Sequence, residues 1–218
     1  MAANPTIIGT NTTYAPAGVG SQSFSHTVPS TGQNRALIVL IQEEAAVAST
    51  VTWDGNAMTK IASWTAVSFG HLGVWYLANP TIGTLTVAAT KASGASSYLA
   101  FTLQDVAQSS PLDQSHGQGN DTQVTSFTNT ATAPAADSLT IHWFALRDAH
   151  SGLTLGTGET ELQAGFTDTN SATNYSSYEV AEDVMEASWT TASAYESLNF
   201  SVKYLAPTVT NSNFLSFM

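Results

Sequence analysis

The feature that most constrains the fold of this chain is an alternation of side-chain character with a period of two. In residues 71–90, HLGVWYLANPTIGTLTVAAT, two alternating runs are split by Asn79-Pro80 and Gly83. Successive side chains of a strand point to opposite faces, so this period is the signature of β structure. Val67, Phe69, His71, Trp75 and Leu77 fall on one face, and Leu72, Val74 and Tyr76 on the other. A strand that is apolar on both sides belongs inside a sheet. Pro80 removes a ladder donor and stops it, and Gly83 opens the next strand with Leu85, Val87 and Ala89 inward.

The same reading extends along the chain. Residues 35–42, RALIVLIQ, are a continuous apolar run, as for a strand buried on both faces. Residues 51–61, VTWDGNAMTKI, predict two short strands around an Asp54-Gly55 turn. Further strand-like runs lie at 97–106, 123–130, 138–146, 159–166, 176–184 and 195–205. SSPLDQSHGQGNDT, residues 109–122, reads as the clearest loop, being rich in Ser, Gly, Asn and Asp. VAEDVME, 180–186, is compatible with one helical turn or with a strand, and no longer helical period occurs. Many short strands with frequent turns predict an all-β antiparallel β-sandwich, jelly-roll-like, in a single domain. Its expected extent is residues 1–206, with 1–20 as an N-terminal extension or edge strand and 207–218 as a C-terminal arm.

Composition narrows the function. Hydrophobic residues make up 43% of the 218 positions, enough for a sizeable core, while charged residues are only 10%. Roughly a quarter of the chain is Ser or Thr, which suits strands better than helices. The net charge is −11, and Arg35, Lys60, Lys91, Arg147 and Lys203 are scattered. Nucleic acid and anionic membranes both demand clustered cations, so neither is an expected partner. There is no cysteine, hence no disulfide or thiolate metal site. No secretory leader and no membrane-length apolar run is visible, which points to synthesis in the cytoplasm.

The order NRALIVLI, VTWDGNAMTKIASW, VWYLANPTIGTLTV, AFTLQDVAQSSPL, followed by SLTIHWFAL, GTGETELQ and SLNFSVKYLAP, resembles a sandwich module of bacteriophage virion proteins and bacterial surface or secreted proteins. The likeness covers about residues 20–207. It implies a jelly-roll-like antiparallel sandwich and carries no catalytic residues. His71, the acid-rich EVAEDVME and the apolar C-terminal end depart from the pattern.

Candidate chemistry is sparse. No phosphate loop, GxSxG elbow or HExxH occurs. Asp148 and His150 would share a strand face, too few ligands for a metal site. Ser115-His116 near Asp113 and Asp121 has the residue types of a triad, but on an expected loop. Glu43-Glu44 and the cluster Glu179, Glu182, Asp183 and Glu186 suit a solvated acidic rim; a calcium site or the paired acids of a glycosidase are the alternatives. Trp75 and Trp143 lie in strongly apolar strands and are expected in the core. Trp53 and Trp64, flanking the Asp54-Gly55 turn, are the candidates for stacking on a sugar. Phe214, Leu215, Phe217 and Met218 end the chain in an apolar group suited to an interface with another subunit. The expectation is therefore a non-enzymatic phage virion protein, a capsid decoration or cement, or a fibre or tail component. Its partners would be other virion proteins and copies of itself, with no cofactor or metal. A carbohydrate-binding module or adhesin, and a glycan-cleaving jelly-roll enzyme, are the alternatives.

Overall fold

A computed structural model describes residues 4–16, 20–44, 50–65, 70–90, 94–147, 150–167 and 172–205. All regular structure among them is β, in antiparallel sheets. The strands of the first half are β1 (Thr6–Tyr14), β2 (Gln22–Val28), β3 (Ala36–Glu43), β4 (Thr50–Trp53), β5 (Asn56–Ala57), β6 (Thr59–Thr65), β7 (His71–Ala78), β8 (Gly83–Thr90) and β9 (Ser96–Gln104). Those of the second are β10 (Leu112–Thr130), β11 (Leu139–Leu146), β12 (Thr154–Leu155), β13 (Thr160–Thr167), β14 (Thr173–Val180) and β15 (Val184–Val202).

The two halves have the same architecture. One sheet runs β1-β9-β3-β7-β6 and another runs β10-β15-β11-β14-β13, the same order of successive strands. In the first half β2-β8-β4-β5 forms a separate cover sheet. In the second half its counterpart is made by the far limbs of two long strands. Residues 126–130 of β10 pair with residues 184–188 of β15, and β12 joins at Ser188 and Ala187. β10 doubles back on itself to do this, since His116 Nδ1 lies 2.7 Å from Asn129 Oδ1, thirteen residues along the same strand. Counted this way, the first half has the two-sheet connectivity of a jelly roll, and the second repeats it without a counterpart of β5. Finer marks repeat as well. Residues just past β7 and β14, Asn79 and Ala181, both have positive φ, of 44° and 54°. β6 and β13 both shift register at the matching place, between Lys60 and Ala62 and between Glu161 and Gln163.

The halves pack through their larger sheets. Ile38, Leu40, Val74, Leu99 and Phe101 from one and Ile141, Trp143, Leu198 and Phe200 from the other make one shared core. Burying this face needs both halves, so they form a single hydrophobic unit. At one margin the Trp64 ring of β6 lies on Gly117 of β10, and at the other Asn11 Nδ2 of β1 donates to Leu162 O of β13, 2.7 Å away. Each half has a second core under its cover. In the first, Leu37, Val39, Ile41, Trp75 and Tyr98 meet Val51, Trp53 and Val87. In the second, Phe127 gathers the rings of Phe144, Trp189 and Tyr195. Thr6 pairs with Gln104, and Leu205 N–H donates to Asp105 O, so both ends of the described chain meet at the connector between the halves.

The sequence reading holds for the fold class, for β3 and β7 as interior strands, for a strand at β9, and for the Asp54-Gly55 turn, where both residues have positive φ. It fails at residues 109–122, where β10 begins at Leu112. The glycines there serve a strand, because a Cβ on Gly117 would stand 2.4 Å from Trp64 ring atoms.

Candidate functional site

The densest set of chemically capable side chains lies between the larger sheet of the second half and its fold-back cover. β11 alternates, so Ile141 and Trp143 face the shared core while Thr140, His142 and Phe144 face the cover. β15 does the same, turning Ser197, Asn199 and Ser201 outward from the shared core. Asn129 reaches down from the far limb of β10. Its Nδ2 donates to Ser197 Oγ at 2.7 Å and to His116 O at 3.3 Å, and its carbonyl accepts from Asn199 Nδ2 at 3.1 Å.

From Ser197 the line continues to His142, whose Nε2 is 2.8 Å from Ser197 Oγ. Ser197 Oγ accepts from Asn129 Nδ2 and keeps both a proton and a second lone pair for His142 Nε2, so this contact forms with either imidazole tautomer. Nδ1 faces Glu159 Oε2 at 3.8 Å, within ion-pair range but too long for a hydrogen bond. Ser177 Oγ–H donates to the same carboxylate oxygen, and Glu186 N–H donates to Glu159 Oε1 at 2.6 Å. Burial pushes the Glu159 carboxyl up, but His142, Ser177 and the Glu186 N–H together outweigh it and hold it below the ordinary carboxylate range.

Ser–His–Glu in this order is the relay of a hydrolase. Here it is closed to substrate. Ser197, His142 and Asn129 have no exposed surface, and the Glu159 side chain is 1% exposed. Phe127 lies edge-on to His142 at 5.3 Å, and together with Ala187 and Leu155 it forms the floor of a groove of about 250 Å³ whose rim includes Ser126, Thr128, Thr154 and Glu186. The arrangement binds the cover to the sheet. Among the described residues no group of three or more His, Asp or Glu could hold a metal ion.

The residues singled out in sequence fall elsewhere. Trp53 is fully buried under the first cover, with Nε1 donating to Thr81 O at 3.2 Å, so it offers no face to a sugar. The turn placed it near the surface in sequence, but its side chain is on the inner face of β4. Trp64 is half-buried with its ring against Gly117 and its indole N–H enclosed, which removes one stacking face. Glu43 is buried too, not part of a solvated rim. Glu182 Oε1 accepts from the N–H groups of Asp183 and Val184 at 3.1 and 3.0 Å, fixing the bend after β14. Glu179 has its carboxyl pushed up, by burial first and by the charges of Glu182 and Glu159 next. Ser115 and His116 are consecutive on β10 and so face opposite sides, His116 bonds to Asn129, and Asp113 Oδ2 accepts from Ala135 N–H, so Ser115, His116 and Asp113 do not converge as a triad. His150 meets Tyr175 Oη, while Asp148 lies outside the described residues. Phe214, Leu215, Phe217 and Met218 also lie outside them. The His142 line is not legible in sequence, because its members are spread from residue 116 to residue 197 and only pairing across β10, β11, β14 and β15 unites them.

No protein-family model matches this chain, and neither a characterised protein nor a solved structure is similar enough to match. What stands is an all-β antiparallel sandwich.

Proposed function

We propose that this protein is a non-enzymatic structural component of a phage virion, a capsid decoration or cement or part of a fibre or tail. It acts through contacts with other virion proteins and with copies of itself. The observation that supports this is the sealed relay: Ser197, His142 and Glu159 sit beneath the cover and fasten it, so the best-arranged reactive groups serve the fold. The resemblance of the strand order to virion sandwich modules points the same way. Within this reading Phe214, Leu215, Phe217 and Met218 are assigned to subunit contact, on their apolar chemistry.

Two measurements test it. Immunogold labelling with an antibody to this chain should mark particles purified from the source culture; label confined to the particle-free fraction sinks the virion reading. Truncation after Leu205 should leave melting unchanged and weaken self-association in sedimentation. Full association by the truncated chain would remove the tail from the interface. The sugar-binding alternative loses Trp53 as a stacking face, since that ring is buried.

A further inference from the structure

The repeat supplies an internal comparison, because matched positions line the space beneath a cover twice. In the first half the rows Thr102–Leu37–Leu77 and Ala100–Val39–Trp75 cross β9, β3 and β7. They are apolar except for Thr102. The matching rows of the second half, Ser201–Thr140–Glu179 and Asn199–His142–Ser177, cross β15, β11 and β14 and are polar throughout. β10 lengthens them, setting Gln114 beside Ser201 and His116 beside Asn199.

The Asn129–Ser197–His142 line accounts for part of this block. Gln114, Asn199 and Ser201 form another part, contiguous through pairing and alternation. Ser201 and Asn199 have no exposed surface, and Ser201 Oγ, Asn199 Oδ1 and both amide heteroatoms of Gln114 are enclosed with no protein partner. Groups of this kind, when buried, almost always bond to something. The set offers carbonyl acceptors, an amide donor and a hydroxyl able to do either. A cation would leave the amide donor opposed to it. Water, which donates and accepts at once and needs two to four partners, matches all three side chains.

We infer that Gln114, Asn199 and Ser201 hold structural water in the second half, at a place where the first half has Ile8, Ala100 and a Thr102 hydroxyl already 3.3 Å from His26. Gln114 is on the margin strand β10 and only partly buried, which gives that water its route of exchange with solvent.

Water-oxygen magnetic relaxation dispersion on the full chain tests this. A long-lived water signal is expected in the wild type and a smaller one in the double variant Asn199→Leu with Ser201→Ala; equal signals overturn the assignment. Ser201→Ala alone should lower the urea midpoint, since it removes a bonded group. A raised midpoint would mean that the hydroxyl was enclosed with nothing bound. Should the double variant fail to fold, a high-resolution crystal structure of the wild type decides: density within hydrogen-bonding range of all three side chains supports the inference, and its absence overturns it.

Discussion

Acidification should weaken this fold through His26. The ring is 1% exposed on the inner face of β2, with Nδ1 2.9 Å from Thr12 Oγ1, Nε2 3.3 Å from Thr102 Oγ1 and the Trp53 ring edge-on at 6.1 Å. Two hydroxyls satisfy the neutral imidazole, and burial lowers the pKa from 6.5 to about 4. The sign follows from proton counts. Between those values the unfolded chain carries the proton and the native protein does not. Stability is therefore unaffected above about pH 6.5 and is lost as pH falls toward 4. At about 1.4 kcal/mol per pH unit, the full window corresponds to at most about 3.5 kcal/mol. Carboxylates also titrate in the lower part of this range, so the quantity to measure is a difference. Urea unfolding at pH 7, 6, 5 and about 4 should be compared between wild type and His26→Asn, which keeps a neutral hydrogen-bonding side chain. The wild type should lose more stability than the variant, most steeply below about pH 6. Parallel pH profiles would refute the reasoning and place the His26 ring in contact with solvent.

Three further substitutions probe the packing. Trp143→Ala should cost about 3–5 kcal/mol in urea unfolding, as for other large truncations in a core; a neutral result would contradict its place at the centre of the shared core. Gly117→Ala should cost about 1–3 kcal/mol, because the added methyl meets the Trp64 ring; an unchanged melting temperature would show that this margin yields freely. Asn129→Ala removes side-chain bonds to His116 and Ser197 and should cost about 2 kcal/mol or more. Amide exchange should then rise first in residues 124–130 and 184–190, and uniform acceleration across the chain would argue against Asn129 as the clasp.

What the sequence made legible was governed by burial on two faces. β3 and β9 are enclosed almost end to end, so their apolar runs announce them. Residues 112–122 of β10 read as a loop because this limb is polar and contains Gly117 and Gly119, features that answer to Trp64 and to a polar interior across the chain. The repeat was invisible for a related reason. Matched positions share a role in pairing but not a residue type: Val39 corresponds to His142, Trp75 to Ser177 and Ala100 to Asn199. Trp53 misled because a turn in sequence predicts proximity to solvent, while the side chain follows the face of the strand before the turn.

The meeting of Thr6, Asp105 and Leu205 has a topological consequence. Entry, midpoint and exit of the described chain share one corner, so a short bridge from exit to entry, with a cut at the connector, would give a circular permutant in which the second half is translated first. Every strand would keep its neighbours, because each half is closed by its own first and last strands, β1 on β9 and β10 on β15. Mechanically, tension applied through both ends acts at that same corner and so has no long lever across the shared core. A module tethered this way hangs from its attachment as a pendant and does not pass tension along a line of modules.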